Sequence, residues 1–232
     1  MNTLLLQLIG PMQSWGVASN FTYRDTAREP SKSGVVGLLC AALGRPREEQ
    51  LDDLAELRMG VRADREGLVR RDYHTAGKGG YLKADGQIEK KDVVVTQRYY
   101  LADASFLVGL EALTPELLQE LHKHLRNPIW PLYLGRKAFV PSEPVWLKDG
   151  LKLGQDLLSA LGGHERLRPK RTRWDDDRMR VMLEDENGEI VRQDQPLCFV
   201  SDARRFGIRR LRATTVDDRP LQRRCVPCTS LA

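Results

Sequence analysis

Two segments near the start of the chain constrain its fold more than any other feature of the sequence. The first, Leu4–Ile9, is an apolar run, L-L-L-Q-L-I, that is too short for a helix and is typical of a buried strand. We expect Gly10 and Pro11 to end this strand, because proline removes a ladder donor and glycine permits a turn. The second, Val35–Leu43, has helical length, follows serines that can cap a helix, and stops at Gly44. The pattern therefore predicts a strand, a long loop and a helix.

The start of the predicted helix suits a phosphate group, since it offers free N–H groups, a partial positive charge and Lys32. The loop before it carries polar and aromatic side chains that could contact and stack on bases: Gln13, Ser14 and Trp15. Together these features point to single-stranded nucleic acid. The structural alternative is that Trp15 plugs the core and that Ser31 or Ser33 only caps the helix. Because no G-x-x-x-x-G-K-[ST] or G-x-G-x-x-G motif follows the strand, a mononucleotide-binding fold is disfavoured.

The charge of the chain is moderately basic and unevenly distributed. Its 232 residues include 37 Lys+Arg against 32 Asp+Glu. Arginines concentrate in Arg166–Arg173 and again in Ser201–Arg224, where eight arginines accompany three aspartates. Because guanidinium groups bind phosphate oxygens in a bidentate manner, both clusters are candidate RNA or DNA contacts. The alternative for each arginine is a solvated face or ion pairing, for example with Asp175, Asp176 and Asp177.

The sequence shows no charged leader followed by a long apolar segment, and no run approaches the length of a membrane span. We therefore expect a cytoplasmic protein without a membrane partner. The four cysteines do not form a dense disulfide framework. Cys225 and Cys228 have zinc-knuckle spacing, but no second pair completes four ligands. We expect neither a metal nor a cofactor.

A β-hairpin with a projecting end is predicted in the middle of the chain. Two strand-like arms, Val61–Thr75 and Asp92–Gly109, are separated by a polar segment that contains the glycine-rich tip Ala76–Gly80. The hairpin combines cations with aromatic rings, which is typical of a nucleic-acid contact: Arg70, Arg71, Lys78, Lys83, Lys90, Lys91, Arg98, Tyr73, His74, Tyr81, Tyr99 and Tyr100. The alternatives are an arm for a protein partner or a disordered surface loop.

The order of the predicted elements is β, α, β, β, α, β, which is that of a ferredoxin-like, RRM-like α+β domain with an extended central hairpin. The second helix is expected to start with Thr114 as cap and Pro115 at its first position. We place this domain at residues 1–148, with the hairpin at about 62–108. Residues 149–232 form a small, basic, β-rich C-terminal region.

Five motifs occur in the order seen in a known family: L-x-L-x-G-P-M-Q-S-W-G at 6–16, P-S-K-S-G-V-V-G-L-L at 30–39, R-D-Y-H-T at 71–75, D-A-S-F at 103–106 and Y-L-G-R-K at 133–137. In these motifs the chain resembles the CasD family, the RAMP subunit of the type I-E CRISPR complex Cascade. The match covers roughly the first 145 residues. One departure is Ala138-Phe139-Val140, where family members often carry serine-cysteine-proline.

The resemblance implies a ferredoxin-like RNA-binding domain whose hairpin acts as a thumb, in a ribonucleoprotein complex of antiviral defence. It implies that the subunit holds the 5′ handle of the crRNA, caps the backbone filament subunit and lies beside the large subunit that recognises the protospacer-adjacent motif. It further implies that target DNA is a partner of the assembled complex. The residues that the resemblance assigns to RNA binding are Gln13, Ser14, Trp15, Arg24, Arg28, Ser31, Lys32, Ser33, Arg71, Tyr73, His74, Thr75, Gly135, Arg136 and Lys137.

The leading hypothesis is a non-catalytic RNA-binding scaffold with no catalytic residue. The enzyme alternative is a metal-independent endoribonuclease of CRISPR repeat RNA, in which Tyr73 and His74 act with Lys78 or Lys137. Adjacent residues on a strand point to opposite faces, which disfavours Tyr73 and His74 as a concerted pair. A protein-binding adaptor without RNA contact is disfavoured by the combined basic and aromatic features.

Overall fold

The computed structural model describes residues 1–17, 22–83, 85–90, 93–168 and 178–218. Its first strand, β1 (Asn2–Gln13), starts as predicted but does not end at Gly10 and Pro11. Gly10 pairs with Ala104 and Met12 pairs with Ala102, so the strand continues past the proline. On its other side β1 pairs with a second strand only between Thr3 and Leu6. At Pro11 one side of β1 has no neighbouring strand among the described residues, so the missing N–H of proline removes no hydrogen bond between strands there. Sheets tolerate proline at such positions.

Helix α1 (Lys32–Leu43) confirms the predicted helix and both of its ends. The Ser31 side chain accepts a hydrogen bond from the Gly34 N–H, and the helix ends at Gly44, whose φ of 73° is left-handed. Its apolar side chains pack against alternate residues of β1, including Leu4, Leu6 and Leu8, in the larger of two core clusters. Local sequence and packing therefore agree along this helix.

Three further strands form the centre of the sheet together with β1: β3 (Arg58–Arg65), β7 (Val94–Ala112) and β8 (Trp146–Lys152). Their order is β3-β7-β1-β8, and all these neighbours are antiparallel. A short helix, α2 (Asp52–Ala55), precedes β3, and α3 (Glu116–Arg126) connects β7 to β8. The predicted cap of α3 is wrong by one residue. Pro115 is the cap, its carbonyl accepts the Gln119 N–H, and no side chain caps the helix.

The predicted hairpin is present. Strand β4 (Leu68–Ala76) pairs with β7 from Leu68 opposite Ala102 to Ala76 opposite Val94. The outer end of the hairpin is longer than the predicted tip at Ala76–Gly80. After that tip the chain forms a small two-stranded sheet from β5 (Tyr81–Leu82) and β6 (Ile88–Glu89). A short parallel strand, β2 (Tyr23–Arg24), pairs with Gln97 and Arg98 on the side of β7 opposite β4.

The C-terminal part continues the same sheet. β9 (Arg178–Glu184) pairs with β3, β11 (Arg205–Asp217) pairs with β9, and β10 (Ile190–Cys198) forms the end of the sheet. Helix α4 (Leu157–Gly163) covers the face opposite α1 and α3. The domain boundary expected at 148/149 lies inside β8.

A second core cluster lies between α4 and the sheet, and glycines make room for it. It joins Leu5 and Leu107 of the sheet centre to Leu157, Leu161 and Leu183. A Cβ on Gly109 would lie 2.6 Å from a methyl of Leu157, so the helix packs closely only because that side chain is missing. No helix in the described part of the chain is long and apolar enough to cross a membrane.

Candidate nucleic-acid interface

Two motif loops that are far apart in the sequence touch through their backbones. Gly135 has a φ of 90°, and a Cβ there would overlap the carbonyl oxygen of Ser14. The Ser14 N–H also donates to the Leu134 carbonyl at 3.1 Å. The glycine of the Y-L-G-R-K motif indicates from the sequence alone that another backbone can come close at this position, because glycine has no Cβ. The segment that approaches it is the G-P-M-Q-S-W-G loop.

Arg136 is fixed at this junction. Its Nη2 donates to the Tyr99 carbonyl at 2.8 Å, and its guanidinium lies 5.4 Å from the centre of the Phe139 ring. The Ser14 hydroxyl donates to the same Tyr99 carbonyl at 3.3 Å. The two loops and the base of the β4–β7 hairpin therefore meet at one carbonyl group.

Three arginines, Arg24, Arg98 and Arg136, form what we call the hairpin-base cluster. Arg24 is beside Arg98 in the pairing of β2 with β7, and Asp72 is opposite Arg98 in the pairing of β4 with β7. Burial lowers the pKa of Arg136, and the charges of Arg98 and Arg24 lower it further, while Asp72 and Asp25 oppose this shift. Guanidinium groups that repel one another gain electrostatic stabilisation from a bound polyanion.

The outer part of the hairpin presents exposed side chains. Arg71, Tyr73 and Thr75 of β4 are exposed, with Tyr73 at 63%. His74 is half-buried, and its Nδ1 lies 3.8 Å from a carboxylate oxygen of Asp72. Tyr73 and His74 are neighbours on a regular strand and so point to opposite faces. They do not form an acid–base pair, whereas the exposed ring of Tyr73 can stack on a base.

Gln13 and Trp15 do not face solvent, which corrects the prediction that they contact RNA. Gln13 is fully buried, and its Nε2 donates to the carbonyls of Leu8 at 2.9 Å and Ala104 at 3.0 Å. Its Oε1 accepts the Trp15 indole N–H at 3.1 Å, and Trp15 is 1% exposed. The pair holds the loop against the core, which is the structural alternative stated for Trp15.

The start of α1 is also occupied, which corrects the predicted phosphate contact at Lys32. Lys32 is 1% exposed, and its Nζ donates to Glu184 at 2.9 Å. Burial lowers the pKa of Lys32, and Glu184 opposes this effect. The backbone N–H of Lys32 donates to Asp194 at 2.8 Å, so a carboxylate already lies at the positive end of the helix. Asp194 in turn binds Arg209 at 2.6 Å and 2.9 Å.

Ion pairs also tie the loop before α1 to the C-terminal strands. Buried Glu29 accepts from Arg180 of β9 at 3.0 Å and from Arg192 of β10 at 2.9 Å. Arg180 also donates to Glu66 at 2.7 Å and 2.8 Å, and these bonds raise its pKa. The P-S-K-S-G motif is therefore held in place by residues about 150 positions away.

A cavity that we call the α1 groove runs along the outer face of α1, with a volume of about 360 Å³. Ser33 and Gly37 contribute to its floor, and Ser14 and Gly135 line it as well. Aromatic rings contribute to its walls: Trp130, Tyr133, Phe199 and Phe206. Sequence reasoning missed these rings. Tyr133 begins the quoted Y-L-G-R-K motif but was given no role, and Trp130 lies three residues before it. Phe199 precedes the C-terminal arginines and Phe206 lies among them, so the signal of these rings was weak.

Comparison with known proteins supports this interpretation of the motifs. The family described as CRISPR-associated protein (Cas_Cas5) matches residues 3–212. The chain belongs to the Cas5 family. The CRISPR system Cascade subunit CasD of Escherichia coli (strain K12) is 37% identical over 160 residues, which cover 62% of this chain and 69% of that subunit. The resemblance to CasD, noted from five motifs, is thereby confirmed.

Solved structures match almost the whole of this Cas5 protein. A crystal structure of a Cas protein is 43% identical with a TM-score of 0.74, and the match covers 93% of this chain and 95% of that chain. A chain of a CRISPR RNA-guided surveillance complex is 34% identical with a TM-score of 0.79, covering 93% and 90% of the two chains. The similarity thus extends through the C-terminal strands, beyond the region of the five motifs.

The remaining predicted site residues of this Cas5 chain do not all lie at one place. Ser14, Ser33 and Gly135 line the α1 groove, and Arg24 and Arg136 belong to the hairpin-base cluster. Arg28 and Lys137 are exposed, and Ser31 is buried as the cap of α1. The structure therefore brings part of the predicted set together around the contact between Ser14 and Gly135.

The two arginine clusters are mostly paired where the structure describes them. Arg166 binds Asp218, Arg168 binds Glu143 and Arg212 binds Asp185, in agreement with the ion-pairing alternative. Residues 169–173 and 219–224 lie outside the described residues, as do Asp175–Asp177, Lys91, Cys225 and Cys228. Arg204 differs, because it is exposed and lines the α1 groove.

Proposed function

We propose that this Cas5 family chain is a non-catalytic RNA-binding subunit of a type I-E Cascade complex, where it holds the 5′ handle of the crRNA and caps the backbone filament. The observation that carries the proposal is the hairpin-base cluster. Arg24, Arg98 and Arg136 converge next to the contact between Ser14 and Gly135, and their mutual repulsion is only partly opposed by nearby aspartates. The similarity to CasD and to a chain of a surveillance complex supports the same role.

The architecture supports this proposal. We propose that the first part of the chain is a ferredoxin-like domain, and the strand order β3-β7-β1-β8, with α1 and α3 packed on one face, supports this. The β4–β7 hairpin extends beyond it and buries none of its described residues between 77 and 90. We infer that this hairpin is the thumb of the family and that the first 148 residues supply most of the RNA surface.

Binding would combine two physical contributions. The hairpin-base cluster neutralises backbone phosphates, which releases counterions and makes the affinity depend on salt. Exposed Tyr73 offers a face for stacking, which contributes about 1–3 kcal/mol per base. Neither contribution requires a metal or a cofactor.

We propose that the partners are those of the complex itself: the crRNA, the backbone filament subunit, the large subunit that recognises the protospacer-adjacent motif, and target DNA after assembly. The support for these partners is the similarity to CasD and to a chain of a surveillance complex. Pull-down of the tagged chain after nuclease treatment, followed by mass spectrometry and RNA sequencing, tests the protein and RNA partners together.

A salt titration tests RNA binding directly. The probe is the repeat-derived 5′ segment of the guide RNA that copurifies with the complex, synthesised with a label and incubated with the full chain in EDTA and then in magnesium. We expect binding without cleavage. Arg136→Gln should reduce the slope of log K against log salt by about 0.7, the value for one phosphate contact on a single strand.

Arg212→Gln is the matched control, because Arg212 is exposed but pairs with Asp185 on the C-terminal sheet. Its slope should equal that of the unmodified chain. If the Arg136 variant had the same slope as the unmodified chain, the hairpin-base cluster would not contact phosphate. Specific cleavage that His74→Ala abolishes would establish an endoribonuclease, and absence of RNA binding would leave a protein adaptor.

A further inference from the structure

The floor of the α1 groove is flat because small residues face it. Ser33, Gly37 and Ala41 follow one another at a spacing of four, so they share one face of the helix, and all three line the cavity. Phe199 lies 3.9 Å from the position that a Cβ of Gly37 would occupy. This is an ordinary van der Waals distance, so the small side chains keep the floor low and Phe199 forms a wall beside Gly37.

Aromatic side chains line this groove, and further contacts fix the positions of Trp130, Phe199 and Phe206. The Trp130 N–H donates to the Ala41 carbonyl at 3.0 Å, which pins its loop to the end of α1, and the side chain remains 44% exposed. Phe199 packs against Phe206 with ring centres 6.5 Å apart at 58°. The groove thus presents ring faces from two distant segments of the chain.

Positive charge at the edge of the groove is not fully neutralised. Arg45 is satisfied, since it binds both carboxylate oxygens of Asp53 at 2.7 Å. Arg47 and Arg204 also line the groove and are exposed, and neither forms an ion pair with the described residues. Two guanidinium groups beside an aromatic slot are complementary to the phosphates that flank a base.

We propose that the α1 groove captures one unstacked nucleobase of the bound RNA, with Trp130 and Phe206 as stacking faces and with Arg47 and Arg204 on the adjacent phosphates. This inference rests on the proposed function and specifies a second contact site for the same RNA. Ser14 and Gly135 line the groove, and Arg136 follows them, so the groove is continuous with the hairpin-base cluster. A cavity of about 360 Å³ is in the range that holds small ligands.

The test combines protein variants with abasic RNA. A series of the copurified 5′ segment, each member with one abasic nucleotide at a different position, is titrated with the full chain, Trp130→Ala and Phe206→Leu. With unmodified RNA we expect each variant to bind about 5- to 150-fold more weakly, as for loss of one stacked base. At one position the abasic RNA should lose affinity for the unmodified chain, and there the two variants should cause no further loss.

Ile208→Ala is the control, because Ile208 lies on the same strand as Phe206 but is 68% exposed and does not line the groove. It should bind every RNA like the unmodified chain. If the losses from the protein variants and from the abasic nucleotides added at every position, the base-capture site would be overturned. The proposal that the chain binds RNA would remain. Loss of assembly without loss of RNA affinity would assign the groove to a protein partner instead. Failure of the unmodified chain to bind RNA would overturn the proposed function and this inference together.

Discussion

At the scale of single residues, the shape of the interface depends on Gly135, and a matched glycine allows this to be measured. Gly135 and Gly79 have φ values of 90° and 94°, but a Cβ on Gly79 would meet no atom within 4 Å. We expect Gly79→Ala to reduce the free energy of unfolding by about 1 kcal/mol through backbone strain. Gly135→Ala should cost about 3 kcal/mol or more, because it also overlaps the Ser14 carbonyl. Urea denaturation of both variants measures this difference, and equal costs would rule out the backbone contact.

Lys32 has a structural role that a double readout can separate from RNA binding. Lys32→Met should reduce the free energy of unfolding by about 2 kcal/mol. This loss is smaller than for a buried ion pair without other partners. After the substitution Glu184 still has the Met59 N–H at 3.2 Å and Arg209 at 3.7 Å. The salt dependence of RNA binding should not change. A reduced slope with unchanged stability would return Lys32 to the RNA surface.

The sequence predicts the cap at Ser31 and the close approach at Gly135, because both depend on backbone conformation that neighbouring residues reveal. It does not predict the burial of Lys32 or Gln13. Their partners include Glu184, Asp194 and Ala104, which are between 91 and 162 positions away. A motif shows which residue types occur together, whereas the direction of each side chain depends on the packed sheet.

At the scale of elements, the outer hairpin can be removed at a defined register. Ala76 is opposite Val94, so replacing residues 77–93 by Asn-Gly joins β4 and β7 through a two-residue turn. The thermal unfolding midpoint should remain within a few degrees, because no described residue from 77 to 90 is buried. Size-exclusion chromatography with partner subunits should show weaker assembly. Loss of cooperative unfolding would place this segment in the core.

The start of α4 offers a test with a pH dependence. Asp156 accepts hydrogen bonds from the Ser159 hydroxyl at 2.6 Å and the Ser159 N–H at 3.0 Å, which lower its pKa. Its contribution is therefore present above the unfolded pKa of about 4 and is lost as the pH falls below it. Asp156→Ala should cost about 1 kcal/mol at pH 7 and less at pH 3, measured by urea denaturation. Asp156→Asn, which still caps, should cost little at either pH. An equal cost of Asp156→Ala at both pH values would contradict a charged cap.

Elements are predictable where their signals are local. The cap and terminal glycine of α1 lie within two residues of the helix, and the strand-like arms of the hairpin with the glycine-rich segment between them are evident in the sequence. The passage of β1 through Pro11 is not predictable, since it depends on how far β8 extends along the other side.

At the scale of the whole molecule, we expect the chain to unfold as one unit. A fragment ending at Lys152 keeps β8 but removes β9, which pairs with β3, and removes Leu157 and Leu183 from the second core. It also leaves Glu29 and Lys32 buried without their partners. The fragment should show no cooperative thermal transition by circular dichroism, whereas the full chain should show one. Cooperative unfolding of the fragment would support independent domains divided near 148.

The main elements of the first half can be predicted from sequence because the signals of β1, α1, the hairpin and α3 are local. The second half cannot, because the pairing of β9 with β3 joins residues more than 100 positions apart. The sequence of β9 indicates a strand but not its partner. The sheet of the first half has more than one edge with which this strand could pair.

Asp194 has a consequence for where a nucleic acid can bind on this chain. By placing its own carboxylate at the positive end of α1, the protein supplies internally the counter-charge that a nucleic acid would otherwise provide. The positive end of α1 is therefore neutralised within the folded chain itself. The same carboxylate would repel an approaching phosphate, so a nucleic-acid backbone on this face would be directed away from the start of the helix.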